Sequence, residues 1–396
     1  MILPTHIAFV ITASLLLFLI YLLRWRDYRL IQRWDNKIAR GKYRPGISIV
    51  IPAHNQALQL EDNLMSYLEQ NYEKFEVIVV DIHSSDNTAD VIKRHENQHV
   101  PLRCVKLPAT SRYIGKNRLA MSLGIRAAHF PWVLFTYPDC RPQGNFWLKA
   151  MAESMSEDRN IVIGYANYEY KKNSSVRRAI YERLRLVFRN LRGLKRGKAL
   201  NADIRNIAIR KSFYMEKHPL SGKLAVPFGE ASILADMYGL KSQTAFASSN
   251  DATIIQQPPH RRTLASLRMY NAEVSRHKSM RSRFYDLREG LASLLIYLFV
   301  SLFFLYATMR IFETLSSQEY DLNILFYDVP LFFLGIISII LPLLLLRDTC
   351  RFLNIRSFGM RPLWYDIAQP FRNLCSKIQR WHHRKEFVRP IIPSAE

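Results

Sequence analysis

Long apolar runs without a single charge occur at three places along the chain, at 7–23, 290–309 and 329–346. About 20 mostly apolar residues are needed for a helix to cross the hydrocarbon layer of a membrane, so each run predicts a transmembrane helix. No Lys or Arg precedes the first run, and no small-residue cleavage pattern follows it. These features favour an uncleaved anchor over a cleaved secretory signal.

Basic residues are distributed unevenly around these runs. Clusters of Lys and Arg follow the first run and the third run, whereas the connection 311–328 contains neither and carries four acids. Lys and Arg near membrane ends are retained on the cytoplasmic side. We therefore expect an integral protein of an inner or plasma membrane, with its main domain in the cytoplasm.

The chain is accordingly predicted to have five segments. They are an N-terminal transmembrane anchor at 1–24, a basic juxtamembrane linker at 25–45, a main domain at 46–289, a transmembrane hairpin at 290–347 and a basic cytoplasmic tail at 348–396.

Within the main domain, short apolar runs alternate with amphipathic stretches, which predicts an α/β fold with a mainly parallel sheet. The predicted strands are 47–51, 76–80, 102–106 and 132–136. Ligands of such sheets bind at the carboxyl ends of the strands. Asp81 and Asp139 each follow a predicted strand, so we expect both acids at the ligand edge.

The composition adds a strong positive charge. Lys and Arg number 56 against 33 acids, for a formal net charge of +23. Such a balance favours nucleic acid, anionic lipid or phosphorylated substrates as partners. The basic membrane flanks account for much of the excess, so no nucleic acid partner is expected. The four cysteines have no paired short spacing, which predicts neither a zinc site nor a disulfide framework.

Two stretches carry a family resemblance. "ISIVIPAHNQALQLEDNLMSYLEQNYEKFEVIVVDIHSSDNT" and "GKNRLAMSLGIRAAHFPWVLFTYPDCRP" resemble the nucleotide-sugar half of the family-two glycosyltransferases. The resemblance implies a Rossmann-like GT-A fold, with the nucleotide-sugar half at 46–145 and the acceptor half at 146–289. The layout of three apolar runs is similar to that of membrane-bound members, whose products are lipid-linked or exported glycans.

The resemblance implies roles in nucleotide-sugar binding for several residues. Pro52, Ala53 and Asn55 match the loop after the first strand, which lies against the nucleotide. Asp81 matches the first acid of the family's Val-Asp-Asp-Gly-Ser turn. Lys116 matches the basic position near the diphosphate, where a cation offsets negative charge.

Two acids of the family pattern are replaced. Ile82 stands at the second acid of that turn, and "FTYPDC" resembles the family's Thr-Asp-Ala-Asp-Cys with Tyr137 at the first acid. The resemblance implies that Asp139 binds a divalent cation, Mn or Mg, that bridges the donor diphosphate. Tyr137 could hydrogen-bond a ribose hydroxyl. Taken alone, an Asp after a strand is more often a turn or helix-cap residue than a ligand.

The acceptor half carries two weaker matches. "VPFGEASILADMYG", 226–239, lies where the family has its general base, so Glu230 is the candidate catalytic residue. The alternative is an acid that favours a helix N-terminus. "NAEVSRHKSM", 271–280, resembles the family's Gln-x-x-Arg-Trp element and implies that Arg276 and His277 face a phosphate or the acceptor. The alternative for Arg276 is a solvated or lipid-facing arginine.

A basic amphipathic stretch lies at 175–198, where Glu182 is the only acid and apolar residues recur at helical spacing. This pattern predicts an interfacial helix on anionic headgroups, with a nucleic-acid-binding helix as the alternative. The segment after Arg351, with its aromatic residues and arginines, predicts a second interfacial helix.

Together these features predict an inverting glycosyltransferase that moves a sugar from a nucleotide-sugar donor to a membrane-associated glycan or lipid-linked acceptor. The alternative is a catalytically impaired, glycosyltransferase-like scaffold or partner subunit. Its evidence is Ile82, Tyr137 and the single acid, Glu230, where the family has a cluster of acids. A lipid-binding or transport protein is a third alternative, but three apolar runs are few for a transporter.

Overall fold

The computed structural model describes residues 43–98, 101–107, 116–219, 229–316 and 343–383, together with single positions elsewhere. The chain divides into two compact units, of which one comprises Met1–Arg33 and Phe284–Arg372 and the other comprises Trp34–Arg283 and Asn373–Glu396. The second unit contains the sheets.

The strands and helices follow one another along the chain with frequent alternation. The strands are β1 Ile47–Ala53, β2 Phe75–Asp81, β3 Leu102–Lys106, β4 Trp132–Phe135, β5 Cys140–Pro142, β6 Ile161–Ile163, β7 Tyr165–Tyr168, β8 Ile207–Arg210, β9 Thr244–Phe246 and β10 Thr253–Gln256. The helices are α1 Ala57–Leu68, α2 Thr88–Gln98, α3 Lys116–Ala127, α4 Trp147–Ala152, α5 Ser174–Lys195, α6 Lys211–Lys217, α7 Glu230–Tyr238, α8 Arg261–Arg276, α9 Met280–Ser316 and α10 Arg361–His382.

The main sheet has seven strands in the order β3-β2-β1-β4-β8-β6-β9. Strands β1 to β4 are parallel to one another, whereas β8 runs antiparallel between β4 and β6. A smaller sheet has the order β5-β10-β7. The prediction of an α/β fold with a mainly parallel sheet is confirmed, and each of the four predicted strands lies within two residues of an observed one.

The first strand is buried along its whole length, as a strand covered on both faces must be. Helix α3 packs on β1, β2 and β3. A Cβ atom at Gly124 of α3 would lie 2.3 Å from Cγ1 of Val50 in β1, so glycine allows the close approach of this helix.

Side chains of α1 hold the connection between β4 and β5. The hydroxyl of Tyr67 donates to the carbonyl of Cys140 at 2.7 Å and lies 2.9 Å from Oγ1 of Thr136. Nδ2 of Asn63 donates to the carbonyl of Pro138 at 2.9 Å. The backbone on both sides of Asp139 is therefore anchored to the core, which explains how a buried strand delivers an acid at a defined position.

A second anchor holds the turn before β8. The fully buried Asn206 donates to the carbonyls of Tyr165 and Ala252, both at 2.7 Å, and accepts from the indole N–H of Trp147 at 3.3 Å. Buried backbone carbonyls need such partners. The preceding residue, Arg205, is thereby fixed beside the end of β4.

The basic amphipathic helix is present as α5. Its apolar residues Ile180, Leu184 and Leu191 are buried inside the unit, where the helix packs on β7 and α8. Protein therefore covers this apolar face, and the interfacial position of the helix on anionic headgroups remains a prediction.

None of the helices in the described residues is both long and apolar enough to cross a membrane. The predicted run 7–23 lies almost entirely outside the described residues, as does most of 329–346. The run 290–309 falls within α9, a helix of 37 residues. The membrane anchor and hairpin remain predictions.

Candidate active site

The carboxyl ends of β1 and β2 lie side by side. Pro52 pairs with Val80 and Ala53 pairs with Asp81 in the parallel register. The backbone N–H of Ile82 donates to the carbonyl of Ala53 at 2.8 Å, which extends the contact past the strand ends. The two loops predicted to face the nucleotide are thus neighbours.

Side chains join these loops. Oδ1 of Asn55 accepts the backbone N–H of Ser85 at 2.8 Å, and the Asn55 N–H donates to Oγ of Ser84 at 3.1 Å. Oδ1 of the buried Asp81 accepts from the N–H and the hydroxyl of Ser84 at 3.0 and 2.6 Å. Ile82, where the family pattern has a second acid, is buried and adds no charge.

Tyr137 and Asp139 follow β4. Burial raises the pKa of the Tyr137 hydroxyl, and the negative charge of Glu230 raises it further. Tyr137 therefore stays protonated at neutral pH and can donate a hydrogen bond. Oδ2 of Asp139 accepts from Nε2 of Gln256 at 2.6 Å, and its Oδ1 lies 3.4 Å from the thiol of Cys140.

The number of acids near Asp139 determines how the protein could hold a divalent cation. Across the described part of the chain, no three His, Cys, Asp or Glu residues are grouped to hold a metal ion. Among the described residues, Oδ1 of Asp139 has only the weak contact with the Cys140 thiol. Magnesium-type ions are often held by one or two carboxylates together with substrate phosphates and water. Asp139 thus fits an ion that takes most of its ligands from the donor, and does not fit a cage built by the protein.

Glu230 is the first residue of α7. Gly229 before it has a φ of 80°, and a Cβ atom there would lie 2.5 Å from Cγ2 of Val274, so this position requires glycine. Glu230 is 3% exposed, and its Oε1 has no hydrogen-bond partner among the described residues. Burial raises the pKa of Glu230, while its own backbone N–H, Arg118 and the Gly229 N–H oppose the rise.

This environment suits a proton acceptor. A buried carboxylate with an unpartnered oxygen and a raised pKa is a stronger base than an exposed one. The pKa of Tyr137 responds to the charges of both Glu230 and Asp139. The end of β4 and the start of α7 therefore belong to one electrostatic site.

Comparison with known sequences agrees with this geometry. Residues 48–216 match the model of the family described as Glycosyl transferase family 2. These residues form a family 2 glycosyltransferase domain.

Two curated relatives match parts of the domain. The UDP-Glc:alpha-D-GlcNAc-diphosphoundecaprenol beta-1,3-glucosyltransferase WfgD of Escherichia coli is 26% identical over 133 residues, which are 33% of this chain and 48% of that protein. The chondroitin synthase of Pasteurella multocida is 30% identical over 121 residues, which are 30% of this chain and 12% of that protein. The match thus spans less than two thirds of either relative.

A solved structure resembles the chain over nearly its whole length. It is the mannosyltransferase PcManGT from Pyrobaculum calidifontis in complex with GDP-Man and Mn²⁺, with a TM-score of 0.53, 16% identity, and coverage of 94% of this chain and 98% of that one. At this identity the likeness concerns the fold, which is the GT-A fold.

Three predicted site residues remain. Lys116 lies in the family 2 domain, and Arg276 and His277 lie in the segment after it. Lys116 begins α3, and its side chain lies outside the described residues. Arg276 and His277 end α8, where each contacts Glu273, at 3.5 and 3.4 Å. Glu273 also pairs with Arg380 at 2.9 Å. Arg276 and His277 therefore belong to an ion-pair cluster, and their role towards phosphate or acceptor remains a prediction.

Sequence reasoning missed the polar residues that surround Asp139, namely Arg183, Asp203, Arg205 and Gln256. The position of Arg205 depends on the antiparallel pairing of Phe135 with Ile207, which places Arg205 opposite Tyr137 and is visible only in the structure. Arg183 was assigned to a lipid-facing helix because its neighbours in sequence are basic.

Proposed function

We propose that this protein is an inverting glycosyltransferase that transfers a sugar from a nucleotide-sugar donor to a membrane-associated glycan or lipid-linked acceptor. The observation that carries the proposal is the buried Glu230, whose unpartnered oxygen shares an electrostatic site with Tyr137 and Asp139 at the end of β4. Ligands of sheets of this type gather at that edge.

The similar proteins support both substrates. The name of the Escherichia coli relative specifies a UDP-Glc donor and a diphosphoundecaprenol-linked acceptor. The solved neighbour is described with GDP-Man. A nucleotide-sugar donor and a lipid-linked acceptor are therefore the substrate classes that we propose for this chain.

The transfer consists of one displacement. An acceptor hydroxyl attacks the anomeric carbon of the donor while Glu230 accepts its proton. The bond from that carbon to the diphosphate oxygen breaks, and the nucleoside diphosphate leaves with the bonding electrons. Because attack and departure occur on opposite faces, the configuration inverts. Asp81 and Asn55 would position the nucleotide, and Lys116 would offset the charge of the leaving diphosphate.

Asp139 would hold the Mn or Mg ion that the family resemblance implies. Such an ion, when bound, offsets the negative charge on the diphosphate. Tyr137, kept protonated by burial and by Glu230, would donate a hydrogen bond to a donor hydroxyl.

We also propose that the protein is held at a membrane with its family 2 domain in the cytoplasm. The charge-free runs and their basic flanks support this. Helix α10 adds a stripe of exposed apolar residues at helical spacing. Its members are Trp364, Ile367, Phe371, Leu374, Ile378 and Trp381. Exposed Arg361 and Lys377 flank the stripe, so an anionic lipid surface is its proposed partner.

A topology experiment tests the membrane arrangement. A reporter after Glu396 should be cytoplasmic, and a tag near Ser317 should be external. Finding both on the same side of the membrane would contradict the hairpin.

The test of activity is single-turnover transfer by the full chain. A panel of radiolabelled UDP- and GDP-sugars would be incubated with the protein and a membrane extract as acceptor source. Transfer from at least one donor is expected. Binding of nucleotide sugars without transfer from any of them would favour the scaffold alternative, to which Ile82 and Tyr137 point.

A further inference from the structure

Arg183 reaches the Asp139 site from α5. Its Nη2 donates to Oε1 of Gln256 at 2.5 Å, and Nε2 of Gln256 donates in turn to Oδ2 of Asp139 at 2.6 Å. The guanidinium lies 3.5 Å from the centroid of the Tyr168 ring and 3.9 Å from Oδ2 of Asp203. The stacking and these polar contacts hold its plane in one orientation.

Arg205 reaches the same site from the turn before β8. Its Nη1 lies 2.9 Å from Oδ1 of Asp203, and its guanidinium lies 5.6 Å from the centroid of the Tyr137 ring. The adjacent Asn206 anchors the turn to the core. Arg205 is therefore a positioned cation beside the residue that replaces the first acid of the family motif.

Each arginine has one buried side-chain nitrogen that is still able to donate a hydrogen bond. Nη1 of Arg183 and Nε of Arg205 are buried and have no hydrogen-bond partner among the described residues. The Arg183 side chain is 10% exposed and the Arg205 side chain 20%. An unsatisfied buried N–H on a charged group costs free energy, which a ligand with acceptor oxygens would recover.

The charges around Asp139 leave no excess of negative charge that would require a cation. The carboxylates of Asp139 and Asp203 are matched by the guanidinium groups of Arg183 and Arg205. A site with two acids and no arginine needs a metal ion before it can accept a diphosphate. Here the replacement of one acid by Tyr137 and the presence of two guanidinium groups remove that need. Guanidinium groups also match phosphate oxygens in geometry.

We propose that Arg183 and Arg205 form an anion subsite for the diphosphate of the donor, so that donor binding does not depend on a divalent cation. The inference rests on the proposed function, because it assumes a nucleoside diphosphate at this edge of the sheet. An ion at Asp139 then strengthens binding without being required for it.

The experiment measures binding of UDP and GDP to the full chain by calorimetry, once with Mn²⁺ and once with EDTA. The parent should bind at least one nucleotide in EDTA, with a Kd within about tenfold of the value in Mn²⁺. Arg205→Gln should weaken binding in EDTA by about tenfold to a hundredfold, since it removes a charge-assisted hydrogen bond. Arg94→Gln, at an exposed arginine of α2 that pairs with Glu61 of α1, is the matched control and should bind as the parent does.

One further variant guards against misfolding. Arg205→Lys keeps the charge and should retain part of the affinity. Binding in Mn²⁺ that disappears in EDTA would overturn the inference and leave the proposed function standing. Binding in EDTA that Arg205→Gln and Arg183→Gln both leave unchanged, with both folded by circular dichroism, would overturn it too. Binding of neither nucleotide under either condition would overturn both the inference and the proposed function.

Discussion

One glutamate is buried in the family 2 domain and another in the segment that follows it, and their surroundings are opposite in kind. Glu76 in β2 accepts from Ser48 Oγ at 2.6 Å, from the His129 N–H at 2.7 Å and from Arg103 at 2.7 Å. Glu230 in α7 has an oxygen with no partner among the described residues. Both side chains are buried.

The pKa values of the two glutamates depend on their hydrogen-bond partners. Burial acts to raise the pKa of Glu76, but hydrogen bonds from Ser48, His129 and Arg103 lower it below its usual value. Burial raises the pKa of Glu230, and nothing around it fully offsets that rise. A satisfied buried carboxylate stabilises the fold, whereas an unsatisfied one is available for chemistry. The comparison separates a structural acid from a candidate base within one chain.

The largest expected effect is on catalysis at Glu230. Glu230→Gln should slow sugar transfer by about a hundredfold to ten-thousandfold, because an amide cannot accept the proton of the acceptor hydroxyl. Donor affinity should stay at the parent value, since the amide is isosteric. Single-turnover transfer and calorimetry measure the two quantities.

Glu216→Gln, at an exposed acid of α6, serves as the control and should transfer at the parent rate. In the parent, the rate should fall as pH drops through the raised pKa of Glu230, because only the ionised carboxylate is a base. Parent-rate transfer by Glu230→Gln would remove the distinction between the two glutamates.

The next effect is on stability at Glu76. Glu76→Gln should lower the free energy of unfolding by about 2 kcal/mol, because it removes charge-assisted hydrogen bonds and turns an amide N–H₂ towards Arg103. The lowered pKa means that this contribution is present above the unfolded value and is lost as pH falls through the folded one. Urea unfolding monitored by tryptophan fluorescence measures the change, with the exposed Glu73→Gln as control. Equal stability of both variants would contradict a structural role.

A smaller effect concerns the buried Lys278 on the acceptor side. Burial and the charge of Arg189 lower its pKa to about 7, against the opposing influence of Asp236. Between pH 7 and the unfolded value of about 10, the unfolded chain binds up to one more proton, so stability should rise with pH by at most about 1.4 kcal/mol per unit. Lys278→Met should abolish that slope, and Lys217→Met at an exposed lysine should not. A slope that persists in Lys278→Met would show that other groups titrate.

The smallest effect is on stability at His83, in the nucleotide-sugar half. His83 occupies the glycine position of the family turn with a φ of 53°, which is left-handed backbone on an exposed residue. His83→Gly should raise the free energy of unfolding by up to about 1 kcal/mol, because glycine adopts this conformation without a Cβ clash. Lys171→Gly in another exposed loop is the control and should bring no gain. Thermal unfolding of both variants decides the point, and a loss of stability in His83→Gly would contradict the argument.

The fold of the nucleotide-sugar half could be predicted because its strands are defined by local sequence patterns. Alternating apolar runs define β1 to β4 within two residues, and strand ends in a parallel sheet meet at one edge, so Asp81 and Asp139 could be assigned to that edge before any contact was known. The GT-A fold followed from the same stretches through their resemblance to a family.

Only the tertiary structure decided the surroundings of Asp139 and the state of Glu230. Arg183 comes from a helix whose basic pattern indicated a lipid surface, and Arg205 comes from a turn fixed by Asn206. Whether a buried carboxylate is satisfied depends on partners that are distant in sequence. Periodicity along a chain reports which residues are buried together, since burial follows from local spacing. It does not report which charges meet, because that depends on how separate elements pack.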